Sequence, residues 1–162
     1  MRDVRLAAIV ALLLTLSGCQ ALGSGSMGFG SDELCSSVKK GEKFVIGEVI
    51  TAPESQWVTI RDVAFTGEKG VVLVSSYLLD VIGRNSIGNS LYPPPEWPPW
   101  EERVKAEGVT LSPGAQKNLV VVVERGSQEA AHADALEVTY SSVSGQYRRA
   151  GSTRYVFMDS CL

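Results

Sequence analysis

Short apolar segments rich in β-branched residues recur along this chain and leave little room for a long helix. Residues 119–124, with the sequence LVVVVE, are too short and too β-branched to favour a helix, because branched side chains lose rotamer freedom there. Comparable segments lie at residues 43–50, 57–65, 70–82, 135–142, 147–149 and 155–158. Six or seven short strands at this spacing, without alternating helices, predict an all-β fold and an antiparallel sandwich.

Four segments predict local features of this sandwich. In residues 57–65 the apolar positions change phase after Ile60, which indicates a β-bulge or a register change. Residues 70–82 are more uniformly apolar and suit a central strand. Residues 143–146 have the composition of a hairpin turn. Residues 98–108 begin with proline, carry acids in the first turn and end at glycine, which predicts one short helix in a crossover loop.

The first eighteen residues have the organisation of a secretory signal. Arg2 and Arg5 precede an apolar run at residues 6–16, and small residues come before Cys19. The run is shorter than the roughly 20 apolar residues of a membrane-spanning helix. Residues 16–19, with the sequence LSGC, resemble the lipobox of bacterial lipoproteins. This resemblance implies cleavage before Cys19 and acylation of its thiol, which would anchor the chain in a lipid bilayer; the alternative is an ordinary secreted protein.

Composition divides the rest of the chain into two parts. Residues 19–33 are rich in glycine and serine and predict a flexible tether with a reach of roughly 20 Å, whereas residues 34–162 are long enough for one domain with a core. The chain carries 18 Asp and Glu against 15 Lys and Arg, and removal of residues 1–18 leaves it more acidic. The acidic balance argues against nucleic acid or an anionic membrane face as a partner.

If Cys19 is acylated, Cys35 and Cys161 are the two thiols that remain. In a secreted chain they predict a disulfide near the two ends of the domain. The alternatives are a reactive thiol or a metal ligand. Because the chain has one histidine, His132, and no CxxC motif, a zinc site would have to recruit scattered carboxylates, and we predict no metal.

Three strand-and-turn patterns lie at residues 57–63 (WVTIRDV), at residues 111–114 (LSPG) before 118–121, and at residues 136–140 (LEVTY) before 147–148. In these patterns the chain resembles uncharacterised lipoproteins of high-GC Gram-positive bacteria that contain an immunoglobulin-like domain. The resemblance implies an immunoglobulin-like sandwich of about seven strands and brings no family chemistry with it. The cysteine pair that joins two central strands of antibody domains is absent from the sequence.

Candidates for catalysis are few. His132 lies in a polar stretch between two predicted strands, and as a catalytic base it would need a nucleophile and an orienting acid from elsewhere. Residues 36–39 match SxxK and residues 23–28 match GxGxxG, but the companion motifs and flanking elements are missing. The sequence therefore predicts no catalytic residue and no cofactor.

Residues 92–100, with the sequence YPPPEWPPW, are the strongest candidate for binding. Prolines restrict the free loop, and the aromatic side chains of Tyr92, Trp97 and Trp100 offer contact area, a combination typical of recognition surfaces. The alternative is that both tryptophans fold back and cap the open end of the sandwich, because a small domain needs its aromatic residues inside.

Two functions are compatible with these features. The first is a membrane-anchored extracytoplasmic lipoprotein that acts as a non-enzymatic binding or accessory module for an envelope protein. The second is a small envelope hydrolase that uses His132 with an acid and a hydroxyl. We expect the first, because no reaction-specific motif is present and secreted sandwiches often serve as modules.

Overall fold

The computed structural model describes residues 23–25, 27, 29, 33–82, 88–94 and 98–161. Regular structure in these residues consists of short strands and one 3₁₀-helix at Pro98–Glu102. The strands are β1 Gly23–Ser24, β2 Glu33–Ser37, β3 Lys43–Thr51, β4 Val58–Thr66, β5 Val71–Asp80, β6 Gly88–Leu91, β7 Val104–Lys105, β8 Thr110–Leu111, β9 Gln116–Arg125, β10 Ala131–Ala133, β11 Ala135–Ser142, β12 Gly145–Ala150 and β13 Arg154–Met158. No helix among the described residues is long and apolar enough to cross a bilayer.

The strands form three sheets around one core. The first sheet has the order β1-β12-β11-β4-β8, the second β6-β3-β9-β5-β7, and the third β10-β13-β2. Most neighbours are antiparallel, while β1 with β12 and β2 with β13 are parallel. Aromatic rings of different sheets meet in the core, where Phe44 contacts Phe157 and Phe65 contacts Tyr155 at centroid distances of 5.0 and 5.7 Å. The fold is the all-β, antiparallel, immunoglobulin-like sandwich that the sequence predicted, extended by short edge strands.

The structure confirms the predicted bulge and hairpin. In the pairing of β4 with β11, Asp62 lies opposite Thr139 and Ile60 opposite Tyr140, so Arg61 is the extra residue. This residue restores the apolar positions of β4 to the core side. The hairpin turn joins β11 to β12 at residues 143–144.

The central strand of the second sheet is β9 rather than β5. The four-valine strand β9 pairs with β3 on one side and β5 on the other along nearly its whole length. By contrast, β5 has only the two-residue β7 on its other side, and Val72 and Val74 are 63% and 46% exposed. A run of apolar residues predicted burial on both faces, but the short partner strand leaves half of β5 at an edge.

The helix predicted over residues 98–108 is limited to the 3₁₀-helix Pro98–Glu102. The chain then pairs as β7 with Tyr77 and Leu78, and the Ala106 amide donates a hydrogen bond to the Ser76 carbonyl at 3.1 Å. Pairing with a sheet edge satisfies the backbone groups that a longer helix would have satisfied internally.

Part of the segment predicted as a free tether packs against the domain. Gly23 and Ser24 pair with Tyr147 and Arg148 of β12, and Met27 is 1% exposed in the core. Gly25 lies so close to Tyr140 that a Cβ atom would be 2.5 Å from its hydroxyl oxygen. Glycine permits this approach, and the buried methionine adds apolar contact that the composition of the segment did not predict.

The predicted disulfide joins the two ends of the domain. Cys35 of β2 forms a disulfide with Cys161, across a sequence separation of 126 residues. Beside this bond the buried Arg125 donates hydrogen bonds to the Val38 carbonyl and, at 2.6 Å, to Asp159. Both interactions hold the C-terminal segment against β2.

Candidate functional site

The proline-rich segment places its described tryptophan inside the molecule. Trp100 is 5% exposed and packs on the outer face of the second sheet, against Val45, Leu79, Val120 and Val122. It covers this sheet face rather than the open end of the sandwich. Trp97, the other tryptophan of the predicted binding segment, lies outside the described residues.

Aromatic and cationic contacts hold Trp100 and position Tyr92 beside it. The Arg103 guanidinium lies 4.5 Å from the Trp100 ring centroid, and Arg103 donates a hydrogen bond of 2.7 Å to the Trp100 carbonyl. Tyr77 and Tyr92 meet the tryptophan ring edge-on, at centroid distances of 5.5 and 6.1 Å. Tyr92 itself is 41% exposed. The buried ring therefore supports an aromatic side chain that faces solvent, which is a suitable arrangement for binding.

A cleft of about 320 Å³, which we call the edge cleft, lies beside β6, the strand that directly precedes Tyr92. Its lining consists of Cys35, Ser36, Ser37, Val38, Phe44, Asn89, Ser90 and Leu91. Asn89 bridges the cleft, because its side-chain amide donates hydrogen bonds to the Ser36 hydroxyl at 2.8 Å and to the Cys35 carbonyl at 3.3 Å. Leu91 at the margin is 59% exposed. Hydroxyls, an amide and an apolar rim thus converge in one concave site.

Two strand edges border the edge cleft. β2 is the last strand of the third sheet and β6 the last strand of the second, so each has one side without a neighbouring strand among the described residues. Apart from the Cys35 carbonyl, which accepts the hydrogen bond from Asn89, backbone N–H and C=O groups on such sides can pair with another extended chain. The Cys35–Cys161 disulfide fixes β2 on one border, and antiparallel pairing with β3 fixes β6 on the other.

A second cleft of about 290 Å³ lies on another side of the sandwich, between β4 and β5. Its lining is Val63, Ala64, Phe65, Glu68, Val71, Val72 and Leu73. Glu68 is its only polar side chain, so this cleft offers shape and apolar area without a set of hydrogen-bonding groups. The edge cleft combines both, and is therefore our candidate site.

Glu48 is a buried carboxyl on the core face of β3. Glu48 is only 6% exposed. Burial raises the pKa of the Glu48 carboxyl from its ordinary value of 4.5, and the neighbouring hydroxyls of Thr153 and Tyr155 offset only part of this effect. Burial and the nearby Glu48 also raise the pKa of the Tyr155 hydroxyl. These groups lie in the core rather than in the edge cleft.

The other residues singled out by the sequence are apart from the edge cleft or outside the described chain. His132 lies on β10, paired with Val156, and its backbone exchanges hydrogen bonds of 2.8 and 2.9 Å with Lys69. Its imidazole enters none of the hydrogen bonds or ion pairs found among the described residues. No group of three or more His, Cys, Asp or Glu in the described part of the chain could hold a metal ion. Cys19, the predicted lipidation site, lies outside the described residues.

Sequence reasoning missed Asn89 and Leu91. Both lie in β6, whose sequence GNSL has no strand-like alternation and was not predicted as a strand. Leu91 directly precedes the aromatic segment, and this position beside Tyr92 was the one available signal.

Comparison with protein-family models finds no match, and comparison with curated proteins finds none either. Nine chains of solved structures are similar to this chain. One is the Vibrio cholerae VesB protease, with 13% identity, a TM-score of 0.44, and coverage of 82% of this chain and 31% of that chain. Another is the ASH/PapD-like domain 7 of human CEP192, with 6% identity, a TM-score of 0.43, and coverage of 99% and 100%.

A third is the secreted serine protease VesC of Vibrio cholerae, with 11% identity, a TM-score of 0.38, and coverage of 88% of this chain and 25% of that chain. The present chain thus spans less than a third of the VesB and VesC chains. Because these TM-scores are all below 0.5, we draw no functional argument from them. The class of the protein follows from its own topology and disulfide: a small, disulfide-linked, immunoglobulin-like β-sandwich.

Proposed function

We propose that this protein is a lipid-anchored extracytoplasmic module that binds an extended segment of another envelope protein in the edge cleft. The observation that carries the proposal is the pair of unpaired strand edges, β2 and β6, on either side of a cleft of about 320 Å³. An extended chain can use their free backbone groups for affinity, while its side chains contact the apolar rim for specificity. Acylation of Cys19 would keep the module at the membrane.

The surroundings of the cleft support this proposal in two ways. Leu91 lines the cleft and is 59% exposed, so its side chain offers apolar contact area to a partner. The Cys35–Cys161 disulfide lies in its wall, and disulfides persist in oxidising, extracytoplasmic compartments. The proposed role is non-enzymatic, since no described contact prepares His132 for proton transfer. The substitution His132→Ala should therefore leave the affinity for the partner segment unchanged.

The first test is photo-crosslinking in the living cell from a probe at Leu91. The matched control is a probe at Val72, which is similarly apolar and 63% exposed but lines the second cleft. We expect a discrete partner from position 91 alone, with the crosslink mapped to an extended segment of that partner. Capture from position 72 alone would move the binding site to the second cleft, and diffuse labelling from both would contradict the proposal.

The second test measures affinity for the crosslinked segment as a synthetic peptide. Leu91→Glu should weaken binding about tenfold or more. The bound segment would remove water from this position, and a charge placed there would cost over 1 kcal/mol of binding free energy. Val72→Glu should leave the affinity unchanged. Both residues are exposed, so equal melting temperatures would show that the variants differ in binding rather than in folding.

A further inference from the structure

The chain enters the domain at one end of the sandwich. β1 runs parallel to β12, with Gly23 opposite Tyr147, and β12 starts directly after the turn at residues 143–144. Cys19 precedes Gly23 by four residues. Even a fully extended chain of this length reaches only about 14 Å. An acyl group on Cys19 would therefore hold this end, which we call the tether end, close to the lipid surface.

The loops of the tether end are residues 52–57, 81–82, 112–115 and 143–144. They lie together because β3, β5 and β11 end here while β4, β9 and β12 begin. Direct contacts join them: the Ser144 hydroxyl donates a hydrogen bond of 3.0 Å to the Gln56 side chain, and the Gly114 amide donates one of 3.2 Å to the Pro53 carbonyl.

These loops expose three large apolar side chains. Trp57 is 61% exposed, Ile82 63% and Val143 98%. Glu54 is the single charged residue among the described residues of these four loops. Tryptophan favours the headgroup level of a bilayer, where its ring meets both apolar chains and polar groups. Aliphatic side chains on neighbouring loops would enter the bilayer to the same depth, and the removal of their apolar surface from water lowers the free energy.

We propose that the tether end is a membrane-contact surface, which dips Trp57, Ile82 and Val143 into the lipid headgroup region and holds the domain upright on the bilayer. This inference rests on the proposed lipid anchor at Cys19. The short distance from Cys19 to Gly23 and the exposed apolar loops point to the same end of the sandwich, and they are independent observations. The contact requires no basic residues, in keeping with the acidic charge of the chain.

The cysteines of this chain make the test direct. With Cys19 acylated and Cys35 paired with Cys161, a cysteine introduced by Val143→Cys is the sole free thiol and can carry a nitroxide label. The matched control is Lys40→Cys, an exposed position in the turn before β3, at the opposite end of that strand. The acylated full chain is reconstituted in vesicles of phosphatidylethanolamine, with and without phosphatidylglycerol. Relaxation by oxygen and by a water-soluble nickel chelate then reports the depth of each label.

We expect the label at position 143 to lose access to the nickel chelate in both kinds of vesicle and to remain accessible to oxygen. The label at position 40 should stay in water. Addition of Trp57→Ser should return the label at position 143 towards water. A label at position 143 that stays as accessible to the chelate as the control, on a chain whose mass shows acylated Cys19, overturns this inference alone.

Mass spectrometry of the membrane form separates the two proposals. An unmodified Cys19 overturns the lipid anchor and this inference together. Protection of position 143 in cells but not in protein-free vesicles would mean that a membrane protein, rather than lipid, covers the tether end, and would also overturn the inference.

Discussion

Glu48 lies at a core-facing position of β3, between Ile46 and Ile50, both of which are fully buried. A carboxyl at such a position is stable when protonated and costly when charged, because few water molecules reach it. The hydroxyls of Thr153 and Tyr155 reduce this cost without removing it. A polar residue in an apolar strand face thus makes the stability of the whole sandwich sensitive to pH.

Glu48→Gln should make the protein more stable at neutral pH. The folded state raises the pKa of Glu48 above 4.5, so it holds its proton more tightly than the unfolded chain does. The free energy of unfolding is therefore greatest when the pH is below the ordinary pKa of 4.5, and it falls as the pH rises through the raised pKa of the folded state. Melting temperatures across this range should show a gap in favour of Glu48→Gln that grows with pH. The exposed control Glu54→Gln should show none, and a pH-independent gap would contradict the assignment.

Trp100, in the segment from β6 to β7, folds inward as the alternative interpretation of this segment expected, but it covers a sheet face rather than the open end of the sandwich. Trp100 seals the outer face of the second sheet, so that Val120 and Val122 of β9 are buried on a side where a sandwich sheet often meets solvent. Arg103 lies across the ring and fixes the end of the 3₁₀-helix. The same packing holds the Tyr92 ring edge-on against Trp100.

Trp100→Ala should lower the free energy of unfolding by about 3–5 kcal/mol, the usual cost of removing a buried tryptophan. Trp57→Ala is the matched control, because Trp57 is 61% exposed and its loss should cost less than about 0.5 kcal/mol. Urea unfolding of both variants measures the difference. Equal midpoints would show that Trp100 does not support the sheet.

On the scale of the whole molecule, long-range connections close the domain. The Cys35–Cys161 disulfide joins residues 126 positions apart, and Arg125 links β9 to the segments at both ends of the domain. The N-terminal residues add Met27 to the same core. A small sandwich with a modest core gains much of its stability from such connections.

Cys35→Ser should destabilise the domain by about 4–5 kcal/mol, since the bond restricts a loop that contains most of the chain. Cys161→Ser should have a similar effect, and the double variant should be no worse than either single variant. Urea midpoints under non-reducing conditions check this. Additive losses in the double variant would mean that each cysteine acts through packing rather than through the bond.

The local sequence pattern was sufficient to predict the strands in which apolar residues alternate or form a short continuous run. The strands β3, β4, β9 and β11, the bulge at Arg61 and the hairpin after Ser142 follow from the spacing of apolar and turn residues. The cysteine count and the predicted secretory signal were sufficient to predict the disulfide. These features depend on neighbours in sequence or on residue types that have few alternatives.

The edge cleft and the tether end were decided by tertiary structure. Asn89 meets Cys35 and Ser36 because two sheets bring their edges together, and residues 53 to 54 positions apart carry no local signal of that contact. Trp57, Ile82 and Val143 likewise reach one end only after their strands align. The sequence by itself determined a disulfide-linked β-sandwich, whereas the long-range pairing of strands determined which groups face one another and which face outwards.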